Sequence, residues 1–235
     1  MISYVLLALI LILLIFLFSR FNPAATGKIK ENLYVVRSVF VNFYILVTSD
    51  GLALFDTGMS PGAAVRGFKK LGLDINAVKY IFLTHTDYDH AGGIKAFPKA
   101  VLYISKAEVP MIDGSKARRG LMYNRRLGDY RTLDNNETVQ AGDTKIQLIF
   151  TPGHTAGSAS YLIDNKTIVT GDLLRLSRKG AILPFLRLMN MDHRQDKKSL
   201  KAVWPIIEKA DYILTAHTGF ISRGDRSTKS FAEEP

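Results

Sequence analysis

An uninterrupted apolar run opens the chain, and short apolar segments alternating with polar ones fill the rest. From Ile2 to Phe18 nearly every residue is Leu, Ile, Val or Phe, and the first charged side chain is that of Arg20. As a helix this run would extend roughly 25 Å, at the short end for a bilayer crossing. A cleaved signal peptide would place basic residues ahead of a shorter apolar run, and neither Lys nor Arg precedes this one. The expectation is one transmembrane helix over residues 1–20 and a single-pass membrane location. Arg20, Lys28, Lys30 and Arg37 follow the run, which puts the rest of the chain on the cytoplasmic side.

Residues 21–32 read as a linker and residues 33–235 as one domain. Aromatic and β-branched residues mark strands over 33–36 and 40–48. Ser49-Asp50-Gly51 is a hairpin turn signal before a return strand over 52–55. Ser60 as N-cap and Pro61 at the first helical position start a helix to about residue 71. Further strands are predicted over 78–84, 101–105, 146–151, 158–164, 167–170 and 212–215, with an amphipathic helix over 196–209. Runs of strands with helices interspersed predict an α/β sandwich with a mixed sheet, covered by helices, and not an alternating parallel fold.

The composition narrows the chemistry. At 47% hydrophobic and 22% charged residues the chain is neither disordered nor of low complexity. It has no cysteine, which excludes disulfide scaffolds, thiolate metal sites and cysteine nucleophiles. A net charge of +10 favours an anionic partner: an acidic substrate, a lipid headgroup or a nucleic acid.

Four polar clusters each follow a predicted strand. They are His85-Thr86-Asp87-Tyr88-Asp89-His90, His154 after Thr151-Pro152-Gly153, Asp172 after Thr170-Gly171, and His217 after Ala216. Four of the five histidines fall in these clusters. Strand ends at one edge of a sandwich can bring such side chains together. Imidazoles and carboxylates are ligands for zinc, iron or manganese, and two such ions side by side make a hydrolytic centre.

Taken with Asp56-Thr57-Gly58, these motifs resemble the metallo-β-lactamase superfamily over nearly all of residues 33–220. The resemblance implies a four-layer αββα sandwich with a two-metal site at one edge. It implies that His85, Asp87 and His154 hold a first metal, that Asp89, His90 and His217 hold a second, and that Asp172 bridges them. Asp56 resembles the family's carboxylate that lies behind the ligand loop and orients it. The family pattern is His-x-His-x-Asp-His, and this chain carries Asp87 where the second histidine would stand. Two divalent ions and a bridging hydroxide then balance three aspartates, giving a neutral centre and a weaker Lewis acid. Zinc is the first expectation for the two ions, with iron and manganese behind it.

The expected function is a membrane-anchored hydrolase using a metal-bound hydroxide, with Asp89 or Asp172 holding the water and moving its proton. Its substrate is expected to be a small ester, thioester or lactone. The alternatives are a phosphodiesterase for a lipid-derived or other anionic substrate, and a non-catalytic tethered binding protein with a degenerate site. A nucleic-acid substrate is disfavoured, because the gap between His154 and His217 is too short for a large inserted domain. Tyr88, between two candidate ligands, and Arg118, Arg119, Arg125 and Arg126, in the basic stretch 116–131, are the possible substrate contacts. Residues 173–191, apolar with scattered basic side chains, read either as a membrane-interface element or as a pocket wall or core-covering loop. His193 reads as a loop histidine.

Overall fold

The computed structural model describes residues 19–225. Its first sheet has seven strands in chain order: β1 (Gly27–Lys30), β2 (Leu33–Ser38), β3 (Val41–Thr48), β4 (Gly51–Phe55), β5 (Val78–Phe82), β6 (Val101–Ser105) and β7 (Arg131–Leu133). Pairing is antiparallel from β1 to β4 and parallel from β4 to β7. The second sheet begins with the meander β8 (Thr138–Ala141), β9 (Thr144–Phe150), β10 (Ala159–Ile163) and β11 (Thr167–Gly171). A separate hairpin, β12 (Leu174–Leu176) with β13 (Ile182–Pro184), interrupts it. It resumes with β14 (Tyr212–Thr215), parallel to β11, and ends with β15 (Gly219–Ser222).

The alternation of side chains along each strand builds the layers. In β3, Tyr44 and Leu46 point into the space between the sheets, where they meet Phe55, Phe82, Leu148, Tyr161 and Leu214. Phe43 and Ile45 point the other way, onto helix α1 (Pro61–Leu71) through Ala64 and Phe68. Both faces of β3 are buried, which is why its residues 43–47 read as an unbroken apolar run. On the far side of the second sheet, Ile168 and Ile213 pack on Leu200, Val203 and Ile207. Those three residues lie on the long helix His193–Lys209, the last α-helix among the described residues. The result is the expected helix–sheet–sheet–helix sandwich. The Ser60 side chain accepts from the Ala63 amide at the start of α1, as its sequence predicts.

Residues 21–32 and three short strands differ from their sequence reading, and residues 173–191 take one of the two forms expected of them. Within residues 21–32, Gly27–Lys30 pair with β2, and Ala24 exchanges two hydrogen bonds with the buried Asn42 side chain. Strands β7, β8 and β15 are too short or too polar to signal themselves. In 173–191, Leu173, Leu174, Leu176, Ile182 and Phe185 are buried, the first four in the cluster under the last helix. That stretch covers the core, and its Arg178, Lys179 and Arg187 are exposed.

Among the described residues no helix is long and apolar enough to cross a membrane. This corrects the expected single-pass membrane location with a cytoplasmic domain. Residues 1–18 of the expected anchor lie outside the described residues.

Gly67 gives a test of the α1 packing. Alanine would normally favour a helix by about 1 kcal/mol over glycine, but a Cβ here would stand 2.3 Å from Cγ1 of the buried Val36. Gly67→Ala should therefore destabilise, by about 1–3 kcal/mol, read as a lower urea midpoint. An unchanged or higher midpoint would show that α1 is free to lift off the sheet.

Candidate metal centre

All four sequence clusters arrive at one edge of the sandwich, at the C-terminal ends of β5, β9, β11 and β14. His85 and Asp87 lie between β5 and the short helix α2 (Tyr88–Ala91), which carries Asp89 and His90. His154 follows β9, Asp172 follows β11 and His217 follows β14. His85, His90, His154, Asp172 and His217 are buried. Asp87 and Asp89 keep 18% and 21% of their side chains exposed, so the cluster opens to solvent through those two carboxylates.

Each imidazole is fixed by its Nδ1. That of His90 donates to Asp56 Oδ2 at 2.8 Å, and that of His217 to the Phe40 carbonyl at 2.9 Å. His154 Nδ1 donates to Asn190 Oδ1 at 3.1 Å, and His85 Nδ1 to the Thr84 hydroxyl at 3.1 Å. The Thr84 hydroxyl in turn donates to Asp56. The four Nε2 atoms are thereby left facing one another, each with its ring orientation set from behind.

The spacing among the inward atoms is uniform. His217 Nε2 is 3.4 Å from Asp89 Oδ2 and 3.3 Å from Asp172 Oδ1. His90 Nε2 is 3.7 Å and 3.6 Å from the same two atoms. His154 Nε2 is 3.2 Å from Asp172 Oδ2 and 3.3 Å from Asp87 Oδ2, and His85 Nε2 is 3.6 Å from the latter. Ligands about 2.0–2.1 Å from a tetrahedral ion stand roughly 3.3 Å from each other. Among the described residues three overlapping groups each bring one ligand atom per residue within 4.8 Å of the others: His85–Asp87–His154, His85–His90–Asp172 and Asp89–His90–His217. Asp172 turns one oxygen to each side.

Among the described residues His85 Nε2, His90 Nε2 and Asp172 Oδ1 are buried without a hydrogen-bond partner. Three such atoms in one cluster fit divalent ions, which would take their lone pairs. The electrostatics agree. Burial works against charge on His90, but Asp56, Asp89 and Asp172 outweigh it and hold its pKa at about 10. Burial likewise opposes charge on His217, which Asp172 nonetheless raises. Burial pushes the Asp172 carboxyl up, and His217, His154 and His90 drive it down further than that. The site draws in positive charge, so ions and protons compete for it.

The family model of the metallo-beta-lactamase superfamily matches residues 36–217. The chain belongs to the metallo-β-lactamase superfamily. Its curated relatives include the probable metallo-hydrolase Rv2300c of Mycobacterium tuberculosis, 30% identical over 51% of this chain and 51% of that one. They also include an N-acyl homoserine lactonase of a Bacillus species, 27% identical over 52% of this chain and 58% of that one. The chain spans about half the length of these curated relatives. A metallo-β-lactamase of Cronobacter sakazakii superposes with a TM-score of 0.65 over 86% of this chain and 81% of that one, at 24% identity. It shares the fold.

The other residues singled out in the sequence fall around a cavity of about 640 Å³ beside Asp87 and Asp89. Tyr88 is half exposed there, with the Arg125 guanidinium 4.9 Å above its ring. Arg126 lines the same cavity, and Arg119 bonds to the Leu188 carbonyl. Arg118 lines it too, and its guanidinium reaches into the ligand cluster. Its Nε donates to both Asp87 oxygens at 2.8 and 3.0 Å, and its Nη2 stands 3.0 Å from His154 Nε2. The neutral charge balance read from the sequence omits this guanidinium, which adds one positive charge.

Sequence reasoning missed three supporting residues. Glu108, fully buried, accepts from the Thr86 amide and hydroxyl and from the Thr155 hydroxyl and Gly157 amide, at 2.7–3.0 Å. It ties the His85–Asp87 loop to the loop after His154. Gly157 permits this, since a Cβ there would lie 2.1 Å from the Glu108 amide nitrogen. Asn190 links His154 to the His193 ring, which is 3.1 Å from its Nδ2. Asp196 lies against Gly153, beneath His154. None belongs to a ligand motif, and isolated Glu, Asn and Asp residues carry no spacing signal.

Burial pushes the Glu108 carboxyl up to about 7 and that of Asp196 up to about 8. An acid whose folded pKa lies above its unfolded value stabilises the fold when protonated, and that contribution is lost as pH rises. Asp196→Asn should therefore become more stable relative to the parent chain as pH rises from about 4 to about 8, followed by thermal unfolding across that window. A constant difference would place the Asp196 titration outside it. Glu108→Gln puts an amide NH2 against hydrogen-bond donors and should cost about 1–3 kcal/mol in urea unfolding.

Proposed function

We propose that residues 33–235 form a metal-dependent hydrolase domain that cleaves a small ester, thioester or lactone at a two-ion centre. The hydrolase class rests on the superfamily match and on relatives named metallo-hydrolase and lactonase. The observation that carries the finer reading is the convergence of four Nε2 atoms and three aspartates, with Asp172 turned to both sides. His85, Asp87 and His154 would hold one ion and Asp89, His90 and His217 the other. Asp56 keeps His90 in the tautomer that offers Nε2. Zinc suits a nitrogen- and oxygen-rich set without thiolates, as do iron and manganese. Bound ions of this kind lower the pKa of water towards 7 and polarise a carbonyl oxygen.

The chain's own residues supply the rest. Asp89, at the open side of the cluster, is placed to hold an attacking water and take its proton. Phe185 packs edge-on against His154, and Phe21 stacks 4.3 Å from His217, giving the cluster dry, apolar flanks. The cavity beside Asp87 and Asp89 combines Tyr88, Met122 and Tyr123 with Arg125 and Lys95. That lining suits a substrate with an apolar portion and a negative charge.

His90→Ala and Asp172→Ala should lose bound metal and lower hydrolysis of a lactone or thioester probe by at least about 100-fold. Metal content and turnover are measured on the same samples. Full turnover by metal-free protein would sink the reading. Cleavage of a phosphodiester probe alone would move it to the phosphodiesterase alternative.

A further inference from the structure

Arg118 belongs to residues 113–130, between the short helix α3 (Val109–Ile112) and β7. This stretch carries the most exposed apolar side chains described, Leu121 at 90% and Met122 at 69%. It turns on itself, with the Arg118 amide donating to the Met122 carbonyl. Arg118 and Arg119 pin it to the opposite wall through the carbonyls of Met189 and Leu188. Only 11% of the Arg118 side chain is exposed.

An arginine nitrogen is a donor and never an acceptor. At 3.0 Å from Nη2, His154 Nε2 must therefore be the acceptor, and its proton sits on Nδ1, which faces Asn190. A metal at His154 would use that same Nε2 lone pair. Asp87 is engaged in the same way. Its two oxygens take the Arg118 Nε–H, and Oδ1 also takes an amide N–H from Asn124. The opposite side of the cluster differs. There, among the described residues, His90 Nε2 and Asp172 Oδ1 have no hydrogen-bond partner, and the cationic side chains at Asp89 are those of His90 and His217; of the ligand atoms on the Arg118 side, His85 Nε2 alone is left without one. The charges point the same way. Asp87, Asp89 and Asp172 are balanced by one guanidinium and one divalent ion.

We propose that the Arg118 guanidinium competes with a divalent cation for Asp87 and His154, two of the three groups of the first ligand set. One ion then binds tightly beside Asp89, His90, Asp172 and His217, and a second enters only when Arg118 withdraws with its loop. The aspartate at position 87 suits this arrangement, since a neutral histidine there could not form an ion pair with the guanidinium. Arg118 Nη1 is buried without a partner among the described residues. Such a seat is imperfect and can be given up to a stronger ligand. Tyr88, Arg125 and Met122 line the cavity beneath the same loop. A substrate filling that cavity and displacing the loop would open the first ligand set.

The inference rests on the two-ion reading above, and metal stoichiometry separates the two. Protein stripped with a chelator is equilibrated with zinc at a series of buffered free concentrations, and zinc per chain is measured by mass spectrometry. The parent chain should take up one zinc, with the second requiring about thirtyfold more free zinc or more. In Arg118→Met, and likewise in Arg118→Gln, the two should bind with that gap closed. Two zinc ions entering the parent chain together overturn the competition and leave the hydrolase reading standing, whatever the variants do. A gap that persists in a folded variant also overturns it. Absence of zinc binding in the parent chain removes both readings.

Discussion

Asp172 is a buried carboxylate that, among the described residues, has histidines as its only cationic neighbours, and the rest of the site is organised around that fact. Its oxygens lie 3.2–3.6 Å from the Nε2 atoms of His154, His90 and His217. A charge held this far from water must be matched by opposite charge nearby, or it gives up its ionisation. Histidines can match it by holding protons, and metal ions can match it by displacing those protons. Asp87 and Asp89, at the open rim, add to the same demand. Arg118 meets part of it on one side only, which makes the two halves of the cluster chemically unequal.

The sandwich meets a second requirement, that of aim. Neither sheet could place seven ligand-type side chains by itself. The first sheet delivers His85 through β5, and the second delivers His154, Asp172 and His217 through β9, β11 and β14. The interlocked layer of Tyr44, Phe55, Phe82 and Tyr161 sets the distance between the sheets. Tyr161 also donates across it to the Leu83 carbonyl, two residues before His85, and Tyr44 donates to the Thr215 carbonyl, two residues before His217. Behind the ligands, Asp56, Thr84, Asn190 and the Phe40 carbonyl each take one Nδ1 proton. Glu108 fastens the two ligand loops to each other. The packing layer and the polar ties act together, so a fault in either is felt as a misdirected imidazole.

Much of this was legible along the chain. The ligand-type residues announced themselves by their spacing after apolar strands, and the long strands and both long helices by periodicity and capping. Strands β7 and β8 were not legible, because three or four mostly exposed residues carry no periodic signal. The hairpin within 173–191 was ambiguous, since an apolar face against a core and one against a lipid surface have the same composition. Glu108, Asn190 and Asp196 were hidden for another reason. Their importance comes from contacts with residues tens of positions away.

The amino-acid sequence by itself determined which groups could reach the site: four imidazoles, three aspartates, no thiol, and a carboxylate where the family pattern has a histidine. Those are properties of residue type and local order, which the chain carries before it folds. Tertiary structure alone decided that Asp172 faces both halves of the cluster and that Arg118 leaves the solvated stretch of its neighbours to lie on Asp87 and His154. Arg118 is 31 residues from Asp87 and 36 from His154, and only the closing of the two sheets brings the three together. A guanidinium on a polar loop looks the same in sequence whether it faces water or a buried carboxylate. Its charge acquires chemical meaning from what the fold sets beside it.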